Sequence, residues 1–243
     1  MLLILDFGNT QIKAAVFEGT SLVNKYWLDY SDYEKAFENI FSIHTNIEEI
    51  GYVSVNSEAA IVITHLKERY AVFQVERNWS YPFLNAYATP DTLGLDRMVL
   101  AAGAVMRYPR QNRLIIDAGT CITYDYISAD DVYRGGAISP GMQMRYQALH
   151  QHTSKLPLLI AEEHPKLVGN STSASIHSGV INGLQFELEG FINSYCEEKE
   201  NIIIILTGGD ANFLAGHLKN TIFANPNFLL ESIVLLHQYQ TND

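Results

Sequence analysis

Two aspartates, each closing an apolar run and each followed at the second position by glycine, are the first residues in this chain with a chemistry to offer: Asp6-Phe7-Gly8-Asn9-Thr10 and Asp117-Ala118-Gly119-Thr120-Cys121. A strand that ends in Asp presents a carboxylate able to hold Mg²⁺ directly or through water. The glycine lets the backbone turn and approach a phosphate with no Cβ in the way. Asn9 and Thr10 add polar groups to the first turn, Lys13 follows on the next strand, and Thr120 adds a hydroxyl to the second turn. Either turn alone reads equally as an ordinary hairpin, because Gly beside Asn is a common turn signal. Two copies, each directly after an apolar strand, point to two facing loops that clamp the phosphates and metal of a nucleotide.

Two further stretches join them. Thr207-Gly208-Gly209-Asp210 follows the apolar run Ile202–Leu206; it reads as a simple strand-to-helix turn or as a flat glycine surface beside a nucleoside. Gly94-Leu95-Asp96-Arg97 closes a loop containing Pro82 and Pro90 and opens the apolar helix Met98–Met106. Asp96 suits an N-cap. The Asp-Arg pair equally suits phosphoryl transfer, the carboxylate taking a hydroxyl proton and the guanidinium holding an anionic substrate or the transferred charge. The two roles are compatible. Neither G-x-x-x-x-G-K-[ST] nor G-x-G-x-x-G occurs in the chain, which removes the P-loop, the dinucleotide fingerprint and the protein-kinase loop.

The elements that must position these residues follow from periodicity. Residues 2–5 and 12–17 read as strands around the first turn, 113–116 and 122–127 as strands around the second. Residues 31–43 and 58–69 read as amphipathic helices, 50–55 and 71–75 as strands, and 78–95 as a loop long enough to suggest function. Residues 173–195 read as one long helix, broken near Gly183, and 211–218 as a helix after the strand 202–206. The recurrence of strand, Asp-x-Gly turn and strand implies two similar lobes and places their boundary near residue 110. The N-terminal lobe, 1–110, would hold the first phosphate loop and Asp96; the C-terminal lobe, 111–243, would hold the second loop and the adenosine-side glycines.

Composition bounds the function classes. Of 243 residues 47% are hydrophobic and 18% charged, so a sizeable core can form and intrinsic disorder is excluded. Sixteen basic and 27 acidic residues give a net charge of −11. No basic stripe that would neutralise nucleic-acid phosphates is visible, so no nucleic-acid partner is expected. No apolar run approaches the roughly 20 residues of a membrane-spanning helix. The opening Met-Leu-Leu-Ile-Leu lacks the flanks of a secretory signal, so the chain reads as cytoplasmic. Cys121 and Cys196 are too few for a disulfide framework. Cys121 reads as a small buried hydrophobe, and His150, His152 and His164 as surface histidines of a loop rather than a metal site.

The ordered set Asp-x-Gly-Asn-Thr (6–10), Gly-x-Asp-Arg (94–97), Asp-x-Gly-Thr (117–120), Gly-Gly-x-Ile-x-Pro-Gly (135–141) and Thr-Gly-Gly (207–209) resembles the type III pantothenate kinases from Leu2 to about Leu230. The resemblance implies an α/β fold of two ribonuclease-H-like lobes with a central cleft, as in sugar kinases, acetate kinase and actin. It implies ATP-dependent phosphorylation of pantothenate to 4′-phosphopantothenate, the first step of coenzyme A synthesis, by a homodimer that needs K⁺ or NH₄⁺ besides Mg²⁺. Matched position by position, Asp6, Phe7, Gly8, Asn9, Thr10, Gln11, Ile12 and Lys13 form the first phosphate loop for ATP. Asp96 is the general base, and Gly94, Leu95, Asp96 and Arg97 bind pantothenate with Tyr87 and Thr172. Asp117 holds the monovalent cation, Thr120 touches a nucleotide phosphate, and 135–141 is the loop after the second hairpin. Cys121 stands where the family pattern has alanine. The competing readings are a kinase of another small alcohol and a non-catalytic homologue acting as a regulatory or accessory factor. Retention of Asp6, Asp96 and Asp117 favours the enzyme, since a pure binder has no use for Asp96.

Overall fold

The computed structural model describes residues 1–8, 11–54, 58–219 and 222–241. They form two compact units, one of Met1–Tyr81, Gly94–Gly103 and Leu229–Asp243, the other of Pro82–Leu93 and Ala104–Phe228. The single cut near residue 110 expected from the repeat differs from this division. The chain's last helix accounts for part of the difference: its Ser232 packs against Gly103, so a segment from the far end of the sequence belongs with the first unit.

The first unit is built on strands β1 (Leu2–Phe7), β2 (Gln11–Glu18), β3 (Ser21–Asp29), β4 (Glu49–Ser54) and β5 (Ala71–Gln74), ordered β3-β2-β1-β4-β5. β1 pairs antiparallel with β2 and parallel with β4. As the central strand it is covered on both faces, which is why Leu3, Ile4, Leu5 and Phe7 form a near-continuous apolar run and are all fully buried. The edge strand β3 is mostly exposed or half-buried instead, with only Leu28 buried. Helices α1 (Tyr33–Ile43) and α2 (Glu58–Lys67) lay Phe37, Ile40, Val62 and Leu66 against Leu5, Phe7 and Ile12. Each such side chain removed from water stabilises the unit by about 1.5–3 kcal/mol. Part of α3 (Leu95–Arg107) belongs to this unit.

The second unit repeats the pattern. Its strands are β6 (Leu84–Asn85), β7 (Asn112–Ala118), β8 (Cys121–Ile127), β9 (Val132–Pro140), β10 (Ile202–Thr207) and β11 (Phe223–Ala224), ordered β11-β10-β7-β8-β9-β6. Without β6, the third, second, first, fourth and fifth strands lie side by side in that order, as in the first unit. β7, β8 and β9 form an antiparallel meander, and β10 and β11 continue parallel to β7. Helix α4 (Met142–Gln151), α5 (Thr172–His177), a π turn (Ser178–Asn182) and α6 (Gly183–Glu198) cover the sheet, with a short α7 (Ala211–Ala215) after β10. The last helix is α8 (Phe228–Thr241).

Several local expectations change. The loop 78–95 contains β6, which pairs parallel with β9, and a 3₁₀ turn at Pro90–Thr92. Gly135–Pro140 is strand rather than loop, held by the β8–β9 ladder, and Gly141 caps α4. The expected break near Gly183 is the π turn just before it. His150 lies in α4 and His152 caps it, while the ring of His164 neighbours His217 at 4.5 Å. Cys121 is exposed, as is Cys196, because Cys121 starts β8 at the turn instead of entering the core. Among the described residues no helix is long and apolar enough to cross a membrane.

Candidate active site

In the first unit the β1–β2 turn sets the geometry. Asp6 stands directly opposite Lys13 in the antiparallel ladder, so the two side chains share a sheet face, and Lys13 Nζ lies 3.5 Å from Asp6 Oδ2. Burial pushes the Asp6 carboxyl above its ordinary range; Lys13 opposes that, and the charge of Asp96 adds to it. The structure therefore gathers Asp6, Lys13 and Asp96 within electrostatic reach of one another.

The turn is tightly held. Gly8 N–H donates to the carbonyl of Gln11 at 3.1 Å, and the Tyr30 hydroxyl donates to the carbonyl of Gly8 at 2.7 Å. Gln11 Nε2 donates to Asp29 Oδ1 at 2.9 Å. Phe7 and Ile12 face each other in the ladder and bury their side chains fully in the core, so they shape the turn and can offer a ligand only backbone. Asn9 and Thr10 lie outside the described residues.

Asp96 and Arg97 open α3. The helix begins at Leu95, which puts Asp96 inside the first turn rather than at the N-cap. Its Oδ1 accepts from the Arg97 amide at 2.8 Å, and a carboxylate is favoured there by the helix dipole. Gly94 makes the room: a side chain on it would collide with Asp96 Oδ1. Arg97 is buried, 6% exposed, and Leu95 is half-buried.

The second unit carries the matching turn. Gly119 N–H donates to the carbonyl of Cys121 at 3.0 Å, the counterpart of the Gly8 bond. Asp117 lies opposite Thr123, as Asp6 lies opposite Lys13, so this turn is one residue shorter and a hydroxyl replaces the ammonium. Thr120 is exposed and its carbonyl accepts from Gly141 N–H at 3.1 Å. The Thr207–Asp210 turn closes over Asp117. Gly208 sits at φ +96°, and a Cβ there would run into the Ala118 carbonyl and stand 2.5 Å from Asp117 Oδ1. Asp210 N–H donates to the Ala118 carbonyl at 3.0 Å, and burial raises the Asp210 carboxyl above its ordinary value. Asp210 was not among the expected site residues; it follows its glycines, whereas Asp6 and Asp117 precede theirs, so the Asp-x-Gly pattern did not mark it.

Tyr87 and Thr172 lie elsewhere in that unit. The ring of Tyr87 rests over Gly135 and 6.0 Å from the ring of Tyr133. Thr172 begins α5, which Ser171 caps by accepting from Ala174 N–H at 3.2 Å. Thr172 lines an open groove of about 650 Å³ together with Leu149, Leu156, Ser171, Ser175 and Gly179. Tyr87, Asp117 and Thr120 are not among the residues lining that groove.

The profile of the type III pantothenate kinase family matches residues 2–194. The chain belongs to the type III pantothenate kinase family. It is 51% identical to the type III pantothenate kinase of Flavobacterium psychrophilum over 240 residues, covering 99% of this chain and 100% of the relative. It is 49% identical to that of Flavobacterium johnsoniae over 243 residues, covering both chains completely. Among solved structures it resembles a Campylobacter jejuni protein named for the Baf family of transcriptional activators, with TM-score 0.63 and 22% identity over 99% of this chain and 100% of that one. It also resembles an Arthrobacter polyphosphate/ATP-glucomannokinase, with TM-score 0.51 and 12% identity over 98% of each chain. At those identities the likeness is one of fold, and it agrees with the expected α/β architecture of two ribonuclease-H-like sheets.

Proposed function

We propose that this protein phosphorylates pantothenate at the expense of ATP, giving 4′-phosphopantothenate and ADP at the start of coenzyme A synthesis. The observation that carries the reading is the Asp6–Lys13 pair at the first turn, whose carboxyl also feels the charge of Asp96, in a chain that matches its pantothenate-kinase relatives from end to end. The primary hydroxyl oxygen of pantothenate forms a bond to the γ-phosphorus as the bond from that phosphorus to the bridging oxygen of ADP breaks. The hydroxyl proton goes to the Asp96 carboxylate. Arg97 holds the anionic substrate, with Tyr87, Gly94, Leu95 and Thr172 completing its contacts. The first phosphate loop, Asp6 to Lys13, and Thr120 contact ATP. Such a reaction gives the protein little covalent work, so catalysis is positioning and charge stabilisation.

The donor sets suit the cations this reading requires. Among the described residues no three His, Cys, Asp or Glu side chains gather in metal-binding geometry, and Mg²⁺ held by one carboxylate, water and substrate phosphates needs no such cage. Asp6, whose charge burial disfavours, would hold Mg²⁺ directly or through water. Asp117, near the end of β7 beside the Ala118 carbonyl, would hold K⁺ or NH₄⁺. Bound Mg²⁺ neutralises charge on the β- and γ-phosphates. We also assign a homodimer. Leu158, Ile160, Leu167 and Val168 are 50 to 90% exposed, apolar surface that a second copy would cover.

The test is an ATP-dependent phosphorylation assay on pantothenate in potassium and in sodium buffer. Turnover with potassium, its collapse in sodium, and an Asp117→Ala protein indifferent to added potassium are expected. Absence of phosphopantothenate under every condition would remove the assignment; full activity in sodium would remove the cation requirement alone.

A further inference from the structure

Asp125 is a fully buried carboxylate in an otherwise largely apolar stretch of β8, and the reaction described above does not use it. Burying a charged or polar group is costly unless it is hydrogen-bonded. The partners of Asp125 include two hydroxyls: Tyr133 Oη donates to Oδ1 at 2.5 Å and Thr123 Oγ1 donates to Oδ2 at 3.0 Å. An apolar side chain at this position would avoid that cost, so what the carboxylate holds in place matters. It holds Tyr133, itself fully buried. Against the Tyr133 ring, at 6.0 Å and 63°, stands the ring of Tyr87.

Gly135 supplies the other wall. It lies two residues beyond Tyr133 on β9 with φ +102°, and a Cβ there would come within 3.3 Å of Tyr87 Cδ2. Tyr87 is thus set between a bare stretch of backbone and a ring whose own hydroxyl is anchored. Its main chain is fixed as well, since Tyr87 N–H donates to Asn85 Oδ1 at 3.0 Å just after β6. The Tyr133 ring is the wall of this slot opposite Gly135, so loosening its hydroxyl anchor loosens the seat of Tyr87.

We propose that Asp125 is a positioning residue for pantothenate binding, acting through Tyr133 to set the ring of Tyr87. The proposal rests on the reading of Tyr87 as a pantothenate contact. Because neither Asp125 nor Tyr133 touches the reacting atoms in this scheme, it predicts an effect on substrate affinity and not on the chemical step.

The experiment measures kcat and both KM values for Tyr133→Phe, Asp125→Asn, Tyr87→Ala and the double variant Tyr87→Ala/Tyr133→Phe. One lost hydrogen bond is worth a factor of roughly three to ten. Tyr133→Phe is expected to raise the KM for pantothenate by that factor while the KM for ATP and kcat stay within about twofold. Asp125→Asn keeps an acceptor for Tyr133 and should move the same constant in the same direction by less. In the Tyr87→Ala background Tyr133→Phe should add nothing, the signature of two residues acting as one. A Tyr133→Phe protein that melts earlier but keeps its pantothenate KM overturns the proposal, as does a full additional effect in the double variant. Should Tyr133→Phe fail to fold, an unchanged pantothenate KM in Asp125→Asn overturns it equally. If Tyr87→Ala alone leaves that KM unchanged, the reading of Tyr87 fails, and the positioning role falls with it by a separately visible route.

Discussion

Asp96 carries the clearest consequence at the level of single residues. It lies in the first turn of α3 with one oxygen bound to the Arg97 amide, so its second oxygen can serve as a base without loosening the helix. Asp96→Asn keeps the shape and that amide bond. It should leave the fold and nucleotide binding intact and lower turnover by roughly a hundredfold or more, since a positioned base contributes about 10²–10⁴. Near-normal turnover in the folded variant would show that Asp96 only stabilises the helix start. Asp6 makes a different prediction, about stability. Burial is the largest influence on its carboxyl and raises it above the usual 3.8, with Lys13 only partly offsetting. A raised carboxyl means that the protonated form is favoured in the folded state. The associated stability is complete below the ordinary value and is lost as pH rises through the raised one. In nucleotide-free protein, Asp6→Asn should therefore melt higher than the parent at pH 7, with the difference shrinking toward pH 4. Melting curves across that range check it, and a less stable variant at pH 7 would mean that Lys13 outweighs burial.

At the level of elements, one ion pair ties helices to strands inside the second unit. Arg145 of α4 reaches Glu187 of α6 at 2.6 Å, Ser139 of β9 at 3.0 Å and the Pro140 carbonyl at 2.9 Å. Tyr124 of β8 donates to the other Glu187 oxygen at 2.9 Å. Burial alone would raise the Glu187 carboxyl, but the hydrogen bonds from Arg145, Ser139 and Tyr124 outweigh it and hold it below its ordinary value. Stability from this group is present above the ordinary carboxylate range and is lost as pH falls through the lowered value. Arg145→Met should cost about 1.5–3 kcal/mol, the worth of hydrogen bonds to a charged group, read from urea unfolding at pH 7. The deficit should narrow in acid. An unchanged unfolding midpoint would show that α4 and α6 are held by their apolar contacts alone. The sequence displays Arg145 and Glu187 as unremarkable helix charges, because their meeting depends on how two distant helices lie on one sheet.

At the level of the whole molecule, the prediction concerns assembly. The apolar helix Met98–Met106 has little to offer a second copy, because Met98, Val99, Leu100, Ala101, Ala102 and Ala104 are all buried within the chain. Phe186 of α6 and the exposed apolar residues of 158–168 remain as surface for a partner. Two-fold dimers are the commonest closed assembly. We extend the proposed dimer to a shared site, in which Thr172 of one subunit would reach substrate held mainly by Asp96 and Arg97 of the other. Mixing inactive Asp96→Asn with inactive Thr172→Ala protein should then restore part of the activity, because some mixed dimers hold one intact site. A monomer by sedimentation at micromolar concentration, fully active there, removes the shared site; a dimer whose mixtures stay dead confines each site to one chain.

The sequence by itself determined the repeated strand–Asp-x-Gly–strand unit, the central strands β1, β7 and β10, the helix behind Asp96 and the family resemblance. Each is a local signal: a continuous apolar run marks a strand buried on both faces, and a glycine after an acidic residue marks a turn. Tertiary structure alone decided the rest. Leu84–Asn85 is too short to show any period and is a strand only because β9 offers it an edge. The Gly135-Gly136 pair breaks the alternation of β9, so that strand exists through its ladder with β8 and not through propensity. Cys121 reads as a core residue by type and is exposed by its place at a turn. Asp125 reads as a misplaced charge until β9 brings Tyr133 to it. Burial and partners are set by which segments pair across the chain, and a hydroxyl finds its carboxylate only after the sheet has brought the two strands into register.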